Sequence, residues 1–195
     1  MIDQLEKAIE LIDAVNSKDP TLEISEDKSF PKELLYSIRM SERLMNFAPQ
    51  SSLELKIAAR AQHIGRWNIP RDSYEMNRIG YLKWREDLKK YHSRITAEIL
   101  KNCCFDESFI KRVSFLIEKK ALKKDLETQI LEDVICLVFL EYYFEEFVAK
   151  HQDQEKVSNI IQKTWAKMSY QGRAVALTIH FSQENLDLIK NSLGL

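Results

Sequence analysis

Between Arg66 and Lys90 the chain carries seven cations, Arg66, Arg71, Arg78, Lys83, Arg85, Lys89 and Lys90, against four anions, Asp72, Glu75, Glu86 and Asp87. Trp67, Tyr74, Tyr81, Trp84 and Tyr91 are interleaved with them. Guanidinium groups bind phosphate oxygens in pairs and aromatic faces stack a base or a sugar, so this mixture suits a phosphorylated small molecule or nucleotide. On an α-helix at ~100° per residue, Arg78, Arg85, Lys89 and His92 fall within an arc of about 60°, beside an inward face of Leu88, Ile95 and Ile99. That arc is a rim. If it crosses the helix carrying His63, it borders a pocket that also receives Arg66 and Arg71 from the intervening loop. Two other readings stay open: ordinary arginines snorkelling from an amphipathic helix and pairing with Glu86 or Glu132, or a partner-binding surface made by Trp67, Tyr74, Tyr81 and Trp84.

The elements that must position these groups are helical by period. Ile2, Leu5, Ile9, Ile12 and Val15 predict a first helix that stops before Asp19 and Pro20, followed by a polar connector from Asn16 to Lys28. A second helix is expected from near Pro31 through Leu34, Leu35, Ile38, Leu44 and Met45. Ser51 with Glu54 predicts a capping box for a third, carrying Leu53, Ile57, Ala61, His63 and Ile64. Periodicity fails from Arg66 to Asn77, where Pro70 marks a loop. A fourth helix is predicted from near Ile79 to about Lys101. Asp106 predicts the cap of a fifth, stapled by Phe105 and Ile110. A long sixth follows Leu126, Ile130, Val134, Leu137, Phe144 and Phe147, a seventh spans Val157 to Met168, and a last one Ser182 to Leu193. There is no credible strand pair. With 4 Gly and 4 Pro in 195 residues, the turns of a sheet protein are lacking. The expectation is an all-α single domain of about seven or eight helices: 1–28 helix and connector, 29–150 core, 151–195 helical extension.

Composition excludes several classes. The 29 basic and 30 acidic residues give a net charge of -1, so no overall field draws the chain to nucleic acid or to anionic membrane. The segment Met1–Val15 has acids and no apolar core of a signal, and no 18-residue apolar run exists. Cys103, Cys104 and Cys136, an odd count with an adjacent pair, do not form a disulfide framework, which points to a reducing, cytoplasmic setting. Glu141 is expected to be a semi-buried acid, Tyr142, Tyr143, Phe144 and Phe147 core aromatics, and Lys119, Lys120, Lys123 and Lys124 a solvated run at a helix end.

Two short words, His63-Ile64-Gly65-Arg66 and Lys167-Met168-Ser169-Tyr170-Gln171, resemble the signatures of class I aminoacyl-tRNA synthetases. Their flanks are helical by period and the parallel-sheet context of those enzymes is absent, so a true glutamyl-tRNA synthetase is not the expectation. A broader likeness runs through Ala58-Ala59-Arg60-Ala61-Gln62-His63-Ile64-Gly65-Arg66, through His92 to Leu100 with Phe105-Asp106-Glu107, and through Ile130-Leu131-Glu132-Asp133-Val134-Ile135-Cys136-Leu137. In order and spacing these phrases resemble the helical HD superfamily of metal-dependent phosphohydrolases, in degenerate form. Together with Trp67, Pro70-Arg71, Tyr74 and Tyr81-Leu82-Lys83-Trp84-Arg85, the chain resembles an uncharacterised bacterial and fungal domain-of-unknown-function family, whose members are sometimes labelled glutamyl-tRNA synthetases.

That resemblance implies a site with His63 and Asp133 in catalytic positions and His63, His92 and Asp133 as a reduced metal set. Imidazole with carboxylate suits one divalent transition metal, Zn, Fe or Mn. The departures are that Tyr36 stands where the superfamily has its first metal His, Ile64 replaces the Asp of the His-Asp pair, and Lys119-Lys120 stand near the place of two further histidines. A metal-free site is therefore equally expected. Arg66, Trp67, Arg71, Tyr74, Arg78, Tyr81, Arg85 and Lys89 are the expected ligand-binding residues. The function expected is binding of a phosphorylated small molecule or nucleotide, with phosphohydrolase activity or a non-catalytic interaction role as the branches.

Overall fold

Short polar side chains start the helices. Ser52 Oγ accepts from Leu55 N–H at 3.1 Å, Asn77 Oδ1 from Gly80 at 2.8 Å, and Asp106 Oδ1 from Phe109 at 2.9 Å. Asp125, Asp153, Ser169 and Ser182 do the same farther on. Each such cap satisfies an amide that a first turn leaves bare and is worth about 1 kcal/mol. The third helix is capped by Ser52, one residue beyond the predicted Ser51.

The computed structural model describes residues 2–151 and 153–195; Met1, the Ile2 side chain and Gln152 lie outside the described residues. The chain forms two compact units, Met1–Ala121 and Leu122–Leu195. In the first unit α1 (Ile2–Asn16) is followed by a hairpin of β1 (Leu22–Ser25) and β2 (Lys28–Pro31), then α2 (Lys32–Phe47), α3 (Leu53–Arg60), α4 (Arg78–Asn102) and α5 (Glu107–Ile117). The second unit has α6 (Leu126–Val138), α7 (Phe144–Lys150), α8 (Gln154–Lys167), α9 (Tyr170–Ala176) and α10 (Gln183–Leu193). The fold is thus mostly α, with ten helices among the described residues where seven or eight were expected.

Three departures from the periodicity account for the difference. The polar connector contains the hairpin, with Leu22 opposite Pro31 and Ser25 opposite Lys28. Its two-residue turn, Glu26 and Asp27, has both φ values positive, as a tight turn with right-handed strand twist needs. The predicted long helix is broken after Val138 by a π-helical turn, Phe139–Tyr143. The third departure is α9, a short helix missed altogether. Burial differs locally as well. Met45, Leu126 and Tyr142 are exposed, and so is Glu141, while Glu33 and Arg39 are buried. Phe105 stacks on Phe109 with ring centroids 4.4 Å apart.

Within the first unit, α3 packs against α1, α2 and α5, and α5 also lies along α4. Ile12, Met40, Leu44, Leu55, Ile57, Ile64, Leu100, Leu116 and Ile117 fill the space between them, almost without exposure. Arg60 braces this core by a forked bond to Asp13, Nε to Oδ1 at 2.7 Å and Nη2 to Oδ2 at 2.6 Å. Arg39 ties the hairpin to α2 through Glu23. In the second unit α6 packs on α8 and α9, and α8 on α10.

Candidate functional site

The site begins at the N-terminus of α2. Pro31 offers that helix no side-chain cap, and Asp19 supplies one from a distance, its Oδ2 accepting from Glu33 N–H at 2.9 Å. Glu33 is thereby fixed in the first turn and buried at 7% exposure. Burial raises its carboxyl above the ordinary carboxylate range, against the pull of Arg66, His92 and Lys32. Its Oε2 lies 3.1 Å from Nδ1 of His63 and its Oε1 3.6 Å from Nε of Arg66.

His63 sits in the turn beyond α3 and not on the helix itself, which ends at Arg60. Gly65 closes that turn at φ +64°, a left-handed conformation that glycine adopts without a Cβ penalty. Its N–H donates to Asn16 Oδ1 at 3.2 Å, and the chain is turned so that Arg66 comes back over His63. The Arg66 Nη1 donor is 3.3 Å from His63 Nε2. Guanidinium has no acceptor, so Nε2 carries the lone pair and Nδ1 the proton that is given to Glu33. Burial first, then the cations Arg66, Lys119, Arg85 and Lys32, push the His63 pKa well below its usual value. The ring is therefore a neutral imidazole. Tyr36 stacks on it at 4.0 Å and 11°.

His92, on α4, lies with its ring centroid 6.0 Å from that of His63. Its Nδ1–H donates to the Ile64 carbonyl at 2.7 Å. Burial, helped by His63, pushes its pKa down to about 3. Between these rings and α4 lies a cavity of about 70 Å³. A single water takes ~10–15 Å³ on that scale, so the space suits one phosphoryl group. Arg66, Arg85, Lys89 and Lys119 line it with no acid among the lining residues. Tyr81 and Trp84 form the aromatic wall, with the Arg66 guanidinium 4.8 Å above the Trp84 ring. Trp84 is held by its indole N–H to the Ile69 carbonyl, at 2.8 Å.

The predicted ligand residues thus divide. His63, Arg66, Tyr81, Arg85, Lys89 and His92 come together. Arg71 is occupied in its own loop, its guanidinium donating to the carbonyls of Tyr74 (3.1 Å), Glu75 (2.7 Å) and Asn77 (3.3 Å). Tyr74 donates to Asp87 Oδ2 at 3.0 Å, Arg78 is exposed at the start of α4, and Trp67 is half-buried in the short turn Arg66–Asn68. Asp133 belongs to the second unit. There its Oδ1 accepts from Ser169 N–H at 2.7 Å and Gln129 Nε2 at 3.1 Å, which anchors the start of α9. Of the two imidazoles, His92 keeps an unmet Nε2 lone pair, whereas that of His63 faces the Arg66 donor. Among the described residues no three His, Cys, Asp or Glu side chains group as metal ligands. Gln62 and Lys119, which line the pocket, and Glu33, which holds His63 from behind the lining, were not predicted. Glu33 had a legible signal, since it lies three residues before Tyr36 and so on the same helical face.

The first unit is a mostly helical scaffold around a small basic pocket with an aromatic wall. The chain belongs to the family described as Domain of unknown function (DUF4202), whose model matches residues 6–189. No curated protein and no solved structure matches it. Among the described residues no helix is long and apolar enough to cross a membrane.

Proposed function

We propose that the pocket around His63 and His92 binds the phosphate of a phosphorylated small molecule or nucleotide. The observation that carries this reading is the charge of the lining: four cations and two neutral imidazoles with no carboxylate among them. In a partly buried site that field attracts an anion and repels a divalent cation. Tyr81, exposed at the edge of the pocket, offers a flat face to a base or sugar carried by the phosphate, and Trp84 backs the Arg66 guanidinium. Binding of inorganic phosphate and of a nucleoside monophosphate, measured by calorimetry on the full chain, tests it. Arg66→Ala and Arg85→Ala are each expected to weaken binding by about tenfold to a hundredfold, the range of a lost charge-assisted hydrogen bond. Arg71→Ala, whose donors serve the loop, is expected to leave affinity within about threefold. Unchanged affinity in both pocket variants would reject the assignment.

We further infer a degenerate HD-type scaffold. Support comes from the resemblance itself: the positions it marks in the first unit, Tyr36, His63, His92 and Lys119, surround one place. The metal-dependent phosphohydrolase branch calls for near-stoichiometric Zn, Fe or Mn in protein grown with metal supplements. Elemental analysis showing less than about a tenth of an equivalent would remove it. Without a metal, Glu33 holds the His63 proton at Nδ1 and Arg66 donates to Nε2, so the ring is a fixed neutral wall beside the anion.

A further inference from the structure

Two residues that line the pocket carry buried acceptors without a protein partner. His92 is 2% exposed, its Nδ1–H is committed to Ile64, and its Nε2 is a buried lone pair that no protein group meets. Gln62, 4% exposed on the same lining, has its carboxamide oxygen in the same state. Around them Arg66, Arg85, Lys89 and Lys119 only donate. An anion without a proton satisfies the cations and leaves these acceptors dry, which costs the full desolvation of a buried polar group. An anion that also carries an O–H satisfies the cations and His92 Nε2 at once.

We propose that the pocket selects an anion with a proton of its own, orthophosphate or a singly protonated phosphomonoester, whose P–O–H donates to His92 Nε2 while its other oxygens take the cations. This rests on the phosphate-binding reading above and specifies what the phosphate must be: not a diester, and not an aprotic oxyanion such as sulfate. The direction of the hydrogen bond follows from the tautomer: with Nδ1–H held by the Ile64 carbonyl at 2.7 Å, the neutral ring presents only a lone pair at Nε2.

Inorganic phosphate carries at least one O–H throughout the neutral range and sulfate none, and the two are similar in size. Calorimetric titration of the full chain with each at pH 7 and equal ionic strength separates them, with arsenate and selenate as a second protic and aprotic pair. The protic anions are expected to bind at least about tenfold more tightly. Equal affinity for phosphate and sulfate overturns the selection and leaves anion binding standing, whereas no binding of any of the four overturns both. His92→Asn keeps a donor near the Ile64 carbonyl and removes the Nε2 lone pair. In that variant the preference is expected to fall to within about threefold, through weaker phosphate binding, and an undiminished preference overturns the proposal. Should the variant not fold, the wild-type comparison alone decides.

Discussion

His92 ties the chemistry of the pocket to the stability of the first unit. Its folded pKa of about 3 lies below the ordinary 6.5, so under acid the unfolded chain binds the proton first. Stability contributed by the neutral ring is full above about pH 6.5 and is lost as the pH falls toward 3, at up to ~1.4 kcal/mol per pH unit. His63, also depressed, adds loss of the same sign. Glu33 works the other way, since its raised pKa makes the folded state take up a proton early. Urea unfolding at pH 7.5, 6.0 and 5.0 is expected to show a falling midpoint in the wild type and a shallower fall in His92→Asn; parallel curves would mean that His92 is not held neutral. At this scale the sequence was partly readable. Charge, aromatic content and the helical arc singled out Arg66, Arg85, Lys89, Tyr81 and His92, because those properties travel with residue type. What they omit is how a loop spends its donors: whether Arg71 faces a ligand or three backbone carbonyls depends on the path of residues 74–77, which composition does not encode.

Among the elements, α9 shows a word that imitates a catalytic signature and acts as a structural joint. Ser169, within Lys167-Met168-Ser169-Tyr170-Gln171, caps its own helix by accepting from Gly172 N–H at 3.0 Å, while Asp133 accepts from the Ser169 amide. Gly172 is small because Asp133 lies against it. A Cβ there would come within 2.6 Å of Oδ1 and 2.7 Å of Cγ. Gly172→Ala is therefore expected to destabilise the chain by about 1–2 kcal/mol, overpacking outweighing the gain in helix propensity. A urea midpoint equal to or above that of the wild type would contradict this packing. Asp106 was readable as a cap since a short polar side chain before an apolar run has few other uses. The hairpin was not, because Glu26-Asp27 lacks the glycine or asparagine that ordinarily announces two positive φ values.

Over the whole molecule, the two units meet in sequence at a segment rich in lysine. Lys119, Ala121 and Lys123 all have positive φ, and Lys120, Ala121, Lys123 and Lys124 are exposed. Non-glycine residues held in that region are strained by roughly 1–2 kcal/mol each. Limited trypsin digestion is expected to cut here before the cores, giving fragments that end near Lys120 or Lys124, and mass spectrometry identifies them. First cuts within α3 or α4 would count against a junction at this place. The mostly helical class was legible from scarce glycine and proline and from the 3.6-residue period, which survive any arrangement of helices. The split near residue 121 carried no compositional mark, for the lysine run reads equally as a solvated helix end.

The π-helical turn at Phe139–Tyr143 holds one residue more than a regular helix would need. Beyond it Phe144, 1% exposed, meets Phe139 edge-on at 6.1 Å and Phe181 at 6.0 Å. Dropping a single residue from this turn would give a smoother helix and swing every later side chain by ~100°, carrying Phe144 out of its ring cluster. Length at this point is therefore inherited together with the aromatic set: a descendant that sheds the extra residue must also rebuild the greasy seam downstream.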